Sequence, residues 1–359
     1  MIPIPCDPAA GTTLPADTQM AREAREAPRR CVEQLRRNAD LVRDAGRQMR
    51  ELAPPCAATL ARGSSDQAAA FAKFLLETHA GIPTLSHAPS IGSLYHATSP
   101  AFRGVPLIAI SQSGRSPDLL AAAADARAQG AVVVAIVNDA ASPLAERAQI
   151  VIPVHAGAET SVAATKSFVC TLVALTQFIA EWSQDAALLA ALADAGEILH
   201  AAAAADWSAA VPVLKGANDM LVLGRGPTLP IAGEAALKLK ETCNLHAEAF
   251  SSAEVAHGPM TLVGPGDPVL ALAPLDIART GLRERLEDFA TRGATVIAAG
   301  CGEDLGAASL VLPSRTDVHP VLAAIAQIQS FYGLANALSL ARGYDPDRPP
   351  HLNKVTRTL

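Results

Sequence analysis

Hydrophobic and polar positions fall into two kinds of segment along this chain. Short continuous apolar runs, such as Pro106-Leu107-Ile108-Ala109-Ile110 and Pro268-Val269-Leu270-Ala271-Leu272, are separated by longer Ala-rich stretches. An apolar run without polar alternation suits a strand covered on both faces, as in a parallel sheet. The stretches between are predicted as helices. The best marked runs from Pro117 to Gly130: Pro117 suits a first turn, Asp118 suits the positive end of the helix dipole, and Gly130 suits the C-terminal cap.

The pattern occurs twice. Leu60-Ala61-Arg62-Gly63 is echoed by Leu223-Gly224-Arg225-Gly226, the run 106–110 by 268–272, and 130–135 by 293–298, each at an offset of 162 or 163 residues. Three landmarks in one order at one spacing predict an internal duplication. The predicted fold class is α/β: two tandem doubly wound parallel-sheet domains, over 51–204 and 205–341. The first ends in an Ala-rich helical linker, 184–204. A segment 1–50, helical from about 17, precedes them, and a tail, 342–359, follows. Ligands of open α/β sheets sit beyond the carboxyl ends of the strands. The loops after 58–61, 106–110 and 220–223 are therefore the places to look.

Composition narrows the class. Half of the 359 residues are hydrophobic and the net charge is −6 with no basic block, which argues against a nucleic-acid partner. Cys6, Cys31, Cys56, Cys170, Cys243 and Cys301 show no paired spacing, so reduced thiols in a cytoplasmic protein are expected. No secretory leader stands at the N-terminus, and no apolar run approaching a membrane span is evident. Only six of 29 basic residues are lysines, which favours a need for an amine where one is kept. Neither a metal-ligand spacing nor a completed G-x-G-x-x-G is present, so no metal and no cofactor are expected.

Two constellations carry chemistry. After the strand 106–110, Ser111-Gln112-Ser113-Gly114-Arg115-Ser116 leads into a helix, where hydroxyls and free backbone N–H groups favour an anion. The second copy has Ala273-Pro274-Leu275-Asp276 there, so the fold does not demand the serines. In the second copy, Glu234, Lys238 and Glu241 share one helical face, and His257 follows in Glu254-Val255-Ala256-His257-Gly258-Pro259. Glu77-Thr78 matches Glu241-Thr242 in the first copy, without the lysine.

Ser-Gln-Ser-Gly after a strand resembles the sugar-phosphate loop of the sugar isomerase (SIS) domain family. The tandem arrangement resembles the isomerase half of glutamine–fructose-6-phosphate aminotransferase and the related type II glucosamine-6-phosphate deaminases. The likeness runs from Met20-Ala21-Arg22-Glu23 to Leu352-Asn353-Lys354-Val355-Thr356. It implies that Ser111, Gln112, Ser113 and Ser116 bind phosphate and that Ser64 and Ser65 line the sugar. Val162 and Ala163, in Val162-Ala163-Ala164-Thr165-Lys166, would meet sugar hydroxyls through backbone groups, with Ala164 departing from the family's serine. Glu241 would move the proton between C1 and C2, a task for a carboxylate of tuned pKa. His257 would open the sugar ring, reaching in from a neighbouring subunit of a homodimer with a shared site. Lys238 and Lys354 would stabilise enolate charge or handle the C2 nitrogen. With no nucleophilic-cysteine domain ahead of the first copy, the expected direction is glucosamine 6-phosphate and water to fructose 6-phosphate and ammonia. A deglycase, an ammonia-dependent synthase and a non-catalytic sugar-phosphate sensor of the same fold are the alternatives.

Overall fold

The computed structural model describes residues 17–97, 100–300 and 306–354; Cys6, Cys301, Val355 and Thr356 lie outside them. Among these residues, ten strands form two sheets. β1 (Ala57–Leu60), β2 (Thr84–Ser86), β3 (Pro106–Ser111), β4 (Val132–Val137) and β5 (Ile150–Pro153) stand in the order β2-β1-β3-β4-β5. β6 (Asp219–Gly224), β7 (His246–Ser251), β8 (Pro268–Leu272), β9 (Thr295–Ala299) and β10 (Leu310–Leu312) stand in the order β7-β6-β8-β9-β10. Every pairing is parallel, with Thr59 opposite Ile108 in one sheet and Val222 opposite Leu270 in the other. The two sheets thus repeat one topology, as the sequence landmarks predict. Those landmarks are the three central strands of each sheet.

The flanking helices are α1 (Gln19–Leu52), α2 (Ser64–His79), α3 (Pro89–Ser93), α4 (Pro117–Ala128), α5 (Pro143–Arg147) and α6 (Lys166–Ser183) in the first half. α7 (Ala186–Ala193) and α8 (Ala195–Ala204) close that half, and the second carries α9 (Val211–Leu214), α10 (Thr228–Cys243), α11 (Leu282–Thr291) and α12 (Pro320–Ala341). Pro117 opens α4, and Gly130 (φ +96°) and Gly293 (φ +82°) follow α4 and α11 in the left-handed region, as expected. The Ala-rich linker is two helices that bend at Asp194.

α6 and α12 are buried nearly all round and form the centre of the molecule. α12 is long and apolar enough by composition to cross a membrane, contrary to the sequence reading. Its polar residues Gln327, Gln329, Ser330 and Asn336 obscured that, yet all four are buried within the protein. One of them repairs a defect elsewhere. Pro28 lies inside α1 and has no N–H to give the carbonyl of Ala24; Gln329 Nε2 of α12 donates to it instead at 3.0 Å. α10 crosses α2 so closely that a Cβ on Gly233 would lie 2.1 Å from the Gln67 side chain. This crossing brings the starts of the two copies' first helices together.

Candidate active site

The loop after β3 is folded by its own polar atoms. The Ser111 hydroxyl accepts from Gly114 N–H (3.1 Å), while the carbonyls of Gln112 and Gly114 accept from the N–H groups of Asn138 (3.2 Å) and Leu144 (3.2 Å). Gly114 has φ +61°, and a Cβ there would strike the Ser142 hydroxyl at 2.1 Å, so glycine alone fits. Ser116 is the N-cap of α4 but makes no cap bond; Pro117 has no N–H, and the Leu119 N–H goes to the Asp118 carboxylate at 2.8 Å, so it is the Ser116 hydroxyl that this turn leaves over. Among the described residues, the hydroxyls of Ser113 and Ser116 and the Gln112 amide have no partner in the protein. The expected anion donors are thus unspent, with Ser111 the exception: its oxygen is committed to the loop, and only its proton remains to donate.

The neighbouring charges cancel. Arg62, in the loop after β1, binds the buried Asp118 of α4 at 2.9 and 3.0 Å, and Arg115 binds Asp139 at 2.7 Å. The Arg62–Asp118 pair also ties the two loops together, which sets Ser64 and Ser65 beside the serine loop. Among the described residues the Ser65 side chain has no partner; the Ser64 hydroxyl faces Glu234.

α10 presents the second constellation, and it is buried. Lys238 Nζ lies 3.6 Å from Glu234 Oε1 and is hydrogen-bonded to Glu241 Oε2, with side-chain exposures of 1%, 0% and 22% respectively. A solvated salt-bridge face is therefore ruled out. Tyr332 of α12 donates its hydroxyl to Glu234 Oε1 at 3.4 Å. Burial pushes the Glu234 carboxyl up to about 7 against the pull of Lys238, and the charge of Glu241 adds to the push. Burial alone would lower Lys238, but Glu234 and Glu241 outweigh it and hold the ammonium above its ordinary range.

Lys354 arrives from the C-terminal tail and pairs with Glu159 at 2.9 Å. Glu159 also bears electrostatically on Lys238 and Tyr332, so it faces the same cluster. Glu23 of α1 fastens the adjacent segment by accepting from the N–H groups of Thr160 (2.6 Å) and Ser161 (3.1 Å). Burial would raise the Glu23 carboxyl, but its bonds with Gln19, Thr160 and Ser161 outweigh that and hold it below the usual range. The Val162 N–H is taken by the Asp347 carbonyl at 3.3 Å, and Ala163 O accepts from the Ser161 hydroxyl at 3.0 Å. Only the Val162 carbonyl and the Ala163 N–H remain for a ligand, a narrower offer than the sequence reading implied.

His257 stands apart. It is exposed on a short turn after β7 and, among the described residues, makes no hydrogen bond or ion pair with Glu241, Lys238 or Lys354 of its own chain. Three participants went unforeseen. Glu234 was named only as a helical neighbour of Lys238, Glu159 is a lone acid in a loop, and Tyr332 is one aromatic in an apolar helix. No cluster of three metal-ligating side chains is present among the described residues.

The SIS domain family model matches residues 57–181 and 213–301, one segment over each sheet. The chain belongs to the SIS domain family. Among its relatives, the glutamine–fructose-6-phosphate aminotransferase [isomerizing] of Zymomonas mobilis is 34% identical over 82% of this chain, and that of Thermococcus kodakarensis 32% identical over 93%. This SIS chain spans about half the length of those relatives, 51% and 57%. A solved Silicibacter pomeroyi protein, provisionally called a phosphosugar isomerase, matches with TM-score 0.87 and 40% identity over 92% of this chain and 100% of that one. The C-terminal domain of glucosamine-fructose-6-phosphate aminotransferase from Francisella tularensis matches with TM-score 0.82 and 25% identity over 93% and 98%. Glucosamine-6-phosphate deaminase from Thermotoga maritima, at 18% identity and TM-score 0.74 over 95% and 100%, shares the fold.

Proposed function

We propose that this SIS chain interconverts 6-phosphorylated ketose and aminoaldose, in the direction fructose 6-phosphate plus ammonia to glucosamine 6-phosphate plus water. One observation carries the chemistry: Glu234 and Glu241 are packed around the buried ammonium of Lys238, beside Ser64 at the start of α2. The direction follows the relatives at 32–34% identity, which are named as aminotransferases. The deaminase expected from the sequence has support at the level of fold, and from Ser-Gly-Arg-Ser-Pro-Asp in the loop, which resembles the deaminases. It is the same reaction reversed.

In this reading the phosphate is held by the side chains of Ser113, Ser116 and Gln112, with Ser64 and Ser65 along the sugar. Ammonia condenses at C2 of the open ketose and water leaves. Glu241, part-exposed where its partners are buried, takes a proton from C1 and returns one to C2; the proton that O1 gives up as C1 becomes the aldehyde carbon balances the one the imine nitrogen takes up as it becomes the amine. Lys238 supplies a fixed positive charge beside the developing enolate-like electrons in a site of low polarity. Lys354 handles the C2 nitrogen or oxygen. The first half, 51–204, is the phosphate-binding domain and the second, 205–341, the acid–base domain.

The test is to supply fructose 6-phosphate with ammonium salts, and separately glucosamine 6-phosphate, and to follow the aminosugar and ammonia. Turnover in either direction with C2 deuterium incorporation is the expected result, and neither from either substrate would sink the reading. For His257, we propose service to a neighbouring copy. Mixed His257→Ala and Glu241→Gln chains should regain activity that each lacks alone, and no recovery after proven subunit exchange removes the shared site.

A further inference from the structure

Lys354 reaches the cluster from the tail, and a single residue receives it. The side chain of Glu159 has no exposed surface. Its Oε1 accepts from the backbone N–H groups of Thr165 (3.0 Å) and Ser167 (3.1 Å). Its Oε2 accepts from the Ser167 hydroxyl (2.6 Å) and from Lys354 Nζ (2.9 Å). Three of the four donors belong to the start of α6, where N–H groups lack intrahelical partners and the dipole is positive. The carboxylate is thereby fixed to a core helix, and only the fourth donor comes from elsewhere.

The tail is fastened ahead of this contact, at Asp347. The Asp347 carboxylate accepts from the N–H groups of Gln19 (2.7 Å) and Met20 (2.6 Å) at the start of α1, and its carbonyl accepts from Val162. Glu23 holds residues 160 and 161 from the same helix. A lysine has a long, freely rotating stem, and ordering it in advance needs a fixed anion at its end. The Glu159 carboxylate is that anion.

We propose that Glu159 is a positioning residue that docks the Lys354 ammonium at the edge of the Glu234–Lys238–Glu241 cluster, so that the tail lysine stands in place before the sugar arrives. This rests on the role given above to Lys354. Glutamine at 159 can keep the bonds from Thr165 and Ser167 through its carbonyl oxygen, but its amide nitrogen cannot accept from an ammonium.

A mutant cycle on the full chain tests it. Glu159→Gln should lower kcat ~10-fold with KM nearly unchanged, and in a Lys354→Met background should cost no more than ~2-fold further. Equal losses in both backgrounds mark a merely structural acid and overturn the proposal. A second arm needs no activity: trinitrobenzenesulfonate labelling read at Lys354 by mass spectrometry. The rate should rise several-fold in Glu159→Gln while Lys215 is unchanged, and equal rates at Lys354 overturn the dock. Full turnover in Lys354→Met removes the role of Lys354 instead, and is recognised because the labelling difference persists. Should Glu159→Gln not fold, Ser167→Ala keeps the carboxylate and removes its 2.6 Å brace; Lys354 labelling should then quicken, and an unchanged rate overturns the proposal.

Discussion

The two copies of this fold carry first helices of equal length, α2 and α10, with opposite chemistry. Matched from their starts, Glu234, Lys238 and Glu241 of α10 stand where α2 has Ala70, Phe74 and Glu77. The retained acid of α2 has an ordinary life: Glu77 pairs with Lys73 at 3.1 Å near the surface and accepts from the Thr84 N–H. In α10 the same position shares a buried lysine with a second acid that α2 lacks. The loops differ in the opposite sense. After β3 come the unspent hydroxyls of Ser113 and Ser116; after β8 come Ala273, Pro274 and Leu275, and Asp276 spends its carboxylate on the N–H of Ala278. In the proposed reading, one backbone plan is divided between anion binding and proton transfer. Neither half holds a complete site, and the α2–α10 crossing joins them.

The largest expected effect tests that division directly. Glu241→Gln should lower turnover by ~10²–10⁴-fold, the usual worth of a positioned general base, while sugar-phosphate affinity stays within a few-fold. The matched change Glu77→Gln removes a surface pair worth ~0–1 kcal/mol and should leave turnover nearly intact. Steady-state kinetics of both variants decide it: similar losses would show that α10 is not special. Next in size is the serine loop. Ser113→Ala or Ser116→Ala should fold as the parent does, since the second copy tolerates apolar residues there. Each should weaken sugar-phosphate binding by about 1.5–3 kcal/mol, the cost of one hydrogen bond to a charged group. Calorimetry showing parental affinity would dismiss the loop as a phosphate site.

The contrast between centre and edge also explains what could be read from the chain. The central strands are continuous apolar runs and announce themselves twice. The edge strands β2 and β10 have three residues each, and β7 reads His-Ala-Glu-Ala-Phe-Ser, which resembles a loop as much as a strand. Within the site, the serine loop and the Lys238–Glu241 pair were legible because their residues lie close in sequence. Glu159 and Lys354 were not legible as a pair, because 195 residues separate them and only the fold brings them together. The fate of the Val162 N–H likewise depends on Asp347, which local pattern cannot supply.

An effect on stability and not on turnover sharpens the comparison at Glu234, whose counterpart Ala70 is exposed and uncharged. Burial raises this carboxyl to about 7 from an ordinary 4.5, so the folded chain binds its proton more tightly than the unfolded chain does. The stability that proton confers is complete below about pH 4.5 and is lost as pH climbs through about 7. Between pH 5 and pH 8 the loss should be about 2–3 kcal/mol, taking a shifted pKa unit as ~1.4 kcal/mol. His87, His155 and His319, each lowered chiefly by burial, tilt the curve the other way over part of this range. The useful quantity is therefore the difference between parent and Glu234→Gln, in which the histidines cancel. Glutamine fills the same volume and cannot ionise, so denaturant melts at pH 5 and pH 8 should show the parent losing ground to the variant as pH rises. Parallel curves would mean that Glu234 carries no proton near neutrality. It would then be a fixed second anion for Lys238, and what separates α10 from α2 at this position would be charge and not a bound proton.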